Sequence, residues 1–260
     1  VHIFPIVNYT HTQGPSGTPG PATFAKLYSQ ANGVVAASDG TIYVADYAAV
    51  YEITPRGEVT VLAGTPGSYG FSGDTGPALG AKLSGARGLA LDETRKVLYI
   101  ADSNNSRIRR VYLDTGVIET LAGGGVNTAP YGDGFPGAEA HIGAVDSVTV
   151  GPDGKVYFPD KTHYTIRVVD PDSTTVTRWL NSTYNTGSCQ VGTVSLYYPT
   201  EHSAIRFAAD GSAFISGYIC QGVTAGTPYG IMRLASNGTT RIVGLSGGAT
   251  TDGIDAIATV

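Results

Sequence analysis

The stretch Gly88-Leu-Ala-Leu-Asp-Glu-Thr-Arg-Lys-Val-Leu-Tyr-Ile-Ala-Asp102 decides the fold. Two short apolar runs flank a polar turn, which is the pattern of a β-hairpin. The same pattern opens at Gly33 and ends at Asp46, then runs from Ser147 to Asp160. It recurs from Ala204 to Gly217, where the aspartate is lost. The end points Asp46, Asp102, Asp160 and Gly217 lie 56, 58 and 57 positions apart, a regularity that marks an internal repeat. A third apolar run follows each hairpin, at 50–53, 106–111, 165–169 and 230–234. A fourth closes each unit at 59–63, 117–122, 174–180 and 239–243. Helical periodicity is absent, apart from a turn or two expected at 22–27 and 78–83. Four strands per repeated unit predict an all-β fold, a β-propeller of four-stranded antiparallel blades. Solenoid coils are usually shorter than this repeat.

Composition sets the outer limits. Of 260 residues, 42% are apolar, enough for a sizeable core, and only 14% are charged. An average globular chain carries about 25% charged residues, so this surface must be wetted by Ser, Thr, Asn, Tyr and backbone. The 36 glycines suit a chain dense in turns. A net charge of −5 gives no electrostatic case for nucleic acid or an anionic membrane. No run approaches the ~18 apolar residues of a membrane span.

The run Tyr99-Ile-Ala-Asp-Ser-Asn-Asn-Ser-Arg-Ile-Arg-Arg-Val111 resembles the core of the NHL repeat: strand, Asp, polar loop, Arg-Ile-Arg, strand. The linker Gly70-Phe-Ser-Gly-Asp-Thr-Gly-Pro-Ala-Leu-Gly-Ala-Lys-Leu83 resembles those of teneurin-type and bacterial NHL propellers. Gly20-Pro-Ala-Thr-Phe-Ala-Lys-Leu27 repeats it, with looser echoes at 132–142 and 252–258. Blades are expected at 33–63, 86–122, 145–180 and 203–243, with 1–7 as a closing strand and 244–260 as the linker to a further blade. NHL propellers commonly close with six blades, so the resemblance implies two more units and a larger protein. Blade one departs from the pattern, since Tyr47-Ala-Ala-Val-Tyr51 lacks the Arg-Ile-Arg run. Blade four departs further, with an insertion at Cys220–Pro228. NHL propellers act as enzymes, adhesion modules and scaffolds, so the likeness speaks to architecture more than activity.

Two features predict the compartment. In a propeller, the linker into a blade and the turn between its second and third strands share one face. Cys189 belongs to the first kind of segment and Cys220 to the second, both in blade four, and a disulfide between them implies an oxidising environment. Asn8, Asn104, Asn181 and Asn237 each begin an Asn-x-Ser/Thr sequon, and all four fall in expected loops. Together they predict an extracellular or cell-surface protein that travels the secretory pathway.

Chemistry-bearing motifs are sparse. The sequence has no P-loop and no His-Glu-x-x-His. The resemblance implies one enzymatic alternative, because the NHL family includes an amidating lyase that binds zinc through histidines on one face. His11, His141 and His202 all fall in linkers and form the corresponding candidate set for a secreted metal-dependent lyase or hydrolase. His11 lies far from its first strand, however, and His141 stands where other linkers carry Lys26 or Lys82. His163 fills the slot of Asn105 and reads as a loop hydrogen-bonder. The repeated Asp46, Asp102 and Asp160 are expected to accept bonds from loop amides of their own blades. Asp74, Asp133 and Asp252 recur beside glycines; structural calcium is one reading and turn formation the favoured one. The expected function is therefore a non-enzymatic, glycosylated module without a cofactor. It would bind another extracellular protein, a glycan or further domains of its own chain, in adhesion or structural assembly.

Overall fold

The computed structural model describes residues 8–9, 19–21, 26–126, 132–181, 194–198, 204–221, 229–236 and 240–245. Three short strands come first: β1 (Asn8–Tyr9), β2 (Gly20–Pro21) and β3 (Lys26–Leu27), with β1 parallel to β3. Blade one is β4 (Gly33–Ala36), β5 (Ile42–Ala45), β6 (Ala49–Ile53) and β7 (Glu58–Gly64). After β8 (Gly76–Pro77), blade two is β9 (Ala86–Asp92), β10 (Val97–Asp102), β11 (Arg107–Tyr112) and β12 (Val117–Gly123). Blade three is β13 (Thr149–Val150), β14 (Val156–Asp160), β15 (Thr165–Val169) and β16 (Val176–Asn181). After β17 (Val194–Tyr198), blade four is β18 (Ile205–Phe207), β19 (Ala213–Gln221), β20 (Tyr229–Leu234) and β21 (Thr240–Leu245). Within each blade, neighbouring strands run antiparallel. The described residues form four blades in a β-propeller arrangement.

Blades stack because both faces of each sheet are apolar. Leu98, Ile100 and Val111 of blade two pack on Tyr43, Val50 and Ala63 of blade one. The other face of blade two gives Val97, Tyr99 and Ile108 to Val148, Phe158 and Val169 of blade three. Blades three and four meet through Tyr157, whose ring lies 5.0 Å from that of Trp179 and 4.9 Å from that of Phe207. First strands crowd the axis. A Cβ on Gly33 would sit 1.9 Å from the carbonyl oxygen of Arg87, and one on Gly88 would sit 2.7 Å from Cα of Ser147. The glycine that opens these two repeats is thus required by close approach of the neighbouring backbone.

Linkers do more than connect. β8 lies outside β12, and β2 outside β7, so each linker adds a fifth short strand to the blade it precedes. Pro136 bridges to Thr175 in the same way beside β16. These contacts cover outer edges that would otherwise expose unpaired backbone.

Several expectations need correction. No helical turn forms at 78–83: Leu79 bridges to Gly64 and Lys82 to Ser72, because the backbone is taken up in covering the blade edge. In 22–27, the described residues Lys26–Leu27 form β3. The second strand of blade four runs past Gly217 to Gln221 and pairs with β17, so Cys220 lies in a strand and not in a turn. Asn8 stands in β1 and Asn181 is the last residue of β16, not in loops. The closing strand at 1–7 and the linker residues 246–260 lie outside the described residues.

Candidate functional site

The second strands end on three buried carboxylates, each a hub. Asp46 accepts bonds from the amides of Tyr28, Ala48 and Ala49 and from the Tyr51 hydroxyl at 3.0 Å. Asp102 accepts from the Ser84 amide, Asn105 Nδ2 and, at 3.5 Å, Arg109 Nη1. Asp160 accepts from the amides of Gly143 and His163, from the His163 ring at 2.8 Å and from Arg167 Nη1 at 3.4 Å. Tyr28, Ser84 and Gly143 are linker residues, so every hub fastens the incoming linker to its blade. Burial pushes the Asp102 carboxyl up, while Asn105, the Ser84 amide and Arg109 oppose the rise. Burial, then the Asp46 charge, pushes the Tyr51 phenol up.

Arg109 and Arg167 were not singled out by the sequence reading, yet both side chains are 0% exposed. Arg109 bonds Asp74 at 2.7 Å and the Ser72 and Lys82 carbonyls, gathering three linker groups into one guanidinium. Arg167 bonds Asp133 at 2.8 Å and the His141 carbonyl at 2.9 Å. Asp74 also accepts from Thr120, and Asp133 from Arg178. Both acids read as calcium candidates thus face the protein's own cations, while Asp252 lies outside the described residues. Seven positions separate Asp from Arg in each pair, the signal that would have found them.

At the axis, β4, β9, β18 and the residues just before β13 line a cavity of about 420 Å³, with Asn32, Arg87, Asp146, Ser147 and Arg206 on its wall. Asp146 is held by Lys161 at 2.6 Å, Arg87 at 3.2 Å and the Ser103 hydroxyl at 2.6 Å. The linker face beside it carries exposed aromatics. Tyr69 is 63% exposed and meets Tyr47 edge-on at 5.8 Å, while Phe71 lies 3.8 Å beneath the Arg107 guanidinium. Leu79, also on this linker, is 65% exposed.

Histidines converge only in part. His163 Nδ1 lies 2.8 Å from Asp160, and His163 Nε2 lies 3.2 Å from His141 Nδ1. The carboxylate orients the first ring and the first ring orients the second. His11 and His202 lie outside the described residues, as do Cys189 and Asn237. With Cys189 outside, the Cys189–Cys220 pairing does too. Asn104 is exposed in a single 3-10 turn, Ser103–Asn105, where its Nδ2 donates to the Tyr47 hydroxyl at 2.5 Å.

No protein-family model matches the chain. Over 148 residues, 50% of this chain, it is 34% identical to Teneurin-3 from Danio rerio, and the match covers 5% of that protein. It is 29% identical over 109 residues to NHL repeat-containing protein 2 from Bos taurus, covering 42% of this chain and 15% of that one. The chain thus matches only a small part of these relatives' length. Virginiamycin B lyase from Staphylococcus aureus shares the fold with a TM-score of 0.50 at 15% identity, over 82% of this chain and 55% of that structure. Repeating hubs of Asp on the second strand, consecutive four-stranded blades and these likenesses agree: the fold is a β-propeller, and the sequence is similar to NHL-repeat and teneurin proteins.

Proposed function

We propose that this propeller is a non-enzymatic binding module of a larger extracellular protein, and that its linker face is the contact surface. The observation that carries the reading is the division of labour on that face. Carboxylates there are spent on holding linkers, whereas Tyr69, Phe71 and Leu79 of the second linker are left open to solvent. Rigid blades hold such loops in place, and aromatics supply much of the contact energy in protein recognition. The partner is another extracellular protein or a glycan.

Cross-linking of the native assembly tests the surface. Lys82 lies on the linker side, while Lys96 and Lys155 sit at the hairpin turns of the opposite side. Cross-links to other chains are expected from Lys82, and their yield should fall in a Tyr69→Ser/Leu79→Ser variant. Cross-links confined to Lys96 and Lys155 would remove the proposal. Peptide mapping tests the compartment: a Cys189–Cys220 bond and sugar on at least one of Asn8, Asn104, Asn181 and Asn237 are expected. Two free thiols with four bare sequons would overturn the extracellular assignment.

One observation favours a second reading, a secreted metal-dependent lyase or hydrolase. The chain from Asp160 through His163 to His141 is the kind of arrangement that orients a metal-ligating imidazole. Zinc that copurifies stoichiometrically and is lost in His141→Ala or His202→Ala would favour the enzyme. Structural calcium, if it plays a part, should raise the thermal midpoint of metal-stripped protein on titration.

A further inference from the structure

At the end of the blades opposite the aspartate hubs, blades two and three enclose a cleft of about 490 Å³. Its wall includes Arg95, Tyr99, Arg110, Tyr112, Pro171 and Asp172. Small-molecule sites fall at about 300–1,000 Å³, so the space suits a compact ligand. The linker-face hubs contribute nothing to this wall.

Its chemistry is specific. Tyr99 is fully buried, and its hydroxyl has no hydrogen-bond partner. Burial pushes this phenol up to about 12, so it stays protonated and can both donate and accept. Leaving such a group unpaired is unfavourable, which makes it the expected anchor for a ligand. The two guanidiniums are already neutralised. Arg95 pairs with Asp92 at 2.9 Å and Asp172 at 3.0 Å; Arg110 pairs with Glu119 at 2.6 Å and bonds the Pro171 carbonyl at 2.8 Å. Tyr112 also donates to Glu119, at 2.6 Å. Carboxylates therefore outnumber cations around the cleft, which argues against an anionic ligand. What remains is a fixed mixture of N–H donors and carboxylate acceptors beside aromatic rings, with Arg110 5.3 Å over the Tyr112 ring.

We propose that this cleft binds a neutral saccharide ring. Sugar hydroxyls donate and accept at once, matching planar groups of both kinds and the unspent Tyr99 hydroxyl. The C–H faces of the ring match the tyrosines. The inference rests on reading the protein as a binding module, but it uses a different surface from the linker face.

Saturation-transfer NMR with D-glucose, D-galactose, D-mannose and N-acetylglucosamine, and D-glucuronate as the charged control, tests it. At least one neutral sugar should bind at millimolar concentration, with weaker transfer to glucuronate. Tyr99→Phe should weaken that binding about tenfold, the effect of losing one buried hydrogen bond. Its thermal midpoint should hold or rise, because the hydroxyl gives up no partner in the unliganded protein. Failure of all four sugars to bind, undiminished binding in Tyr99→Phe or a preference for glucuronate would each overturn the saccharide site. None of these outcomes touches the cross-linking result at Lys82, so the two readings fail separately.

Discussion

In blade two, Asp102 ends the second strand and Arg109 reaches it from the third; in blade four the same two positions are Gly217 and Met232. Arg109 and Met232 are equally buried, at 0% exposure. A charged pair and an apolar pair therefore fill one slot in one architecture. Blade one shows an intermediate, with Tyr51 donating a single bond to Asp46. The difference also explains where hairpins stop. Carboxylates at Asp46 and Asp160 capture amides of the following turn, which ends the ladder. Gly217 has no such group, and β19 continues to Gln221. The slot holds either chemistry, and in blade one a carboxylate answered by a phenol.

Unfolding experiments sharpen that contrast, from the largest effect down. Arg109→Met leaves Asp102 and Asp74 without their cation and should destabilise by about 3–5 kcal/mol, read from urea unfolding. Importing the whole blade-four pair, as Asp102→Gly/Arg109→Met, should recover part of that loss; a double variant less stable than the single one would break the equivalence of the slots. Tyr51→Phe in blade one removes one bond to a buried carboxylate and should cost about 1.5–3 kcal/mol in the same assay. The smallest effect is on pH dependence. Asp102 is raised above its ordinary 3.8 by burial, so its folded value exceeds its unfolded one. Its contribution is most favourable below the unfolded value and is lost as pH rises through the folded value. Asp102→Asn should remove that downward slope, so parent and variant unfolding midpoints should shift relative to one another in the variant's favour on going from about pH 4 to pH 7. Parallel midpoints across this range would show that Asp102 contributes no such slope.

Strands were legible because alternation and Asp-Gly turns are local signals. Repetition then made the blade legible as well. Arg109 was not, because Arg107-Ile108-Arg109-Arg110 reads as a charged face with one apolar residue, whereas the linker folds over Arg109 and seals it. Burial there depends on residues 27 to 37 positions away, beyond any window of periodicity. The edge strand Gly76–Pro77 was hidden for a related reason: a proline in a two-residue strand carries no propensity signal, and its place is set by Val117 and Ile118. The periodicity of Ala78–Leu83 suggests a helical turn, but its carbonyls and amides answer to Gly64 and Gly116. His163 was readable by its alignment with Asn105; its contact with His141 needed three dimensions.

Because the linkers into blades one, two and three are fastened to the blade that follows them, the inheritable module of this molecule is out of phase with the visible blade. Ser84 to Asp102, Asp74 to Arg109, Gly143 to Asp160 and Asp133 to Arg167 all fall inside segments that begin just after one fourth strand and end with the next, and Tyr28 to Asp46 falls before the end of the first. A recombination joint just after Gly64 or Gly123 moves a blade together with its own fastenings. A joint at the start of a first strand would sever them and strand a buried arginine. Propellers of this kind can therefore lengthen or shorten by whole cassettes at the DNA level without redesigning any interior, provided the breakpoints respect the linkers.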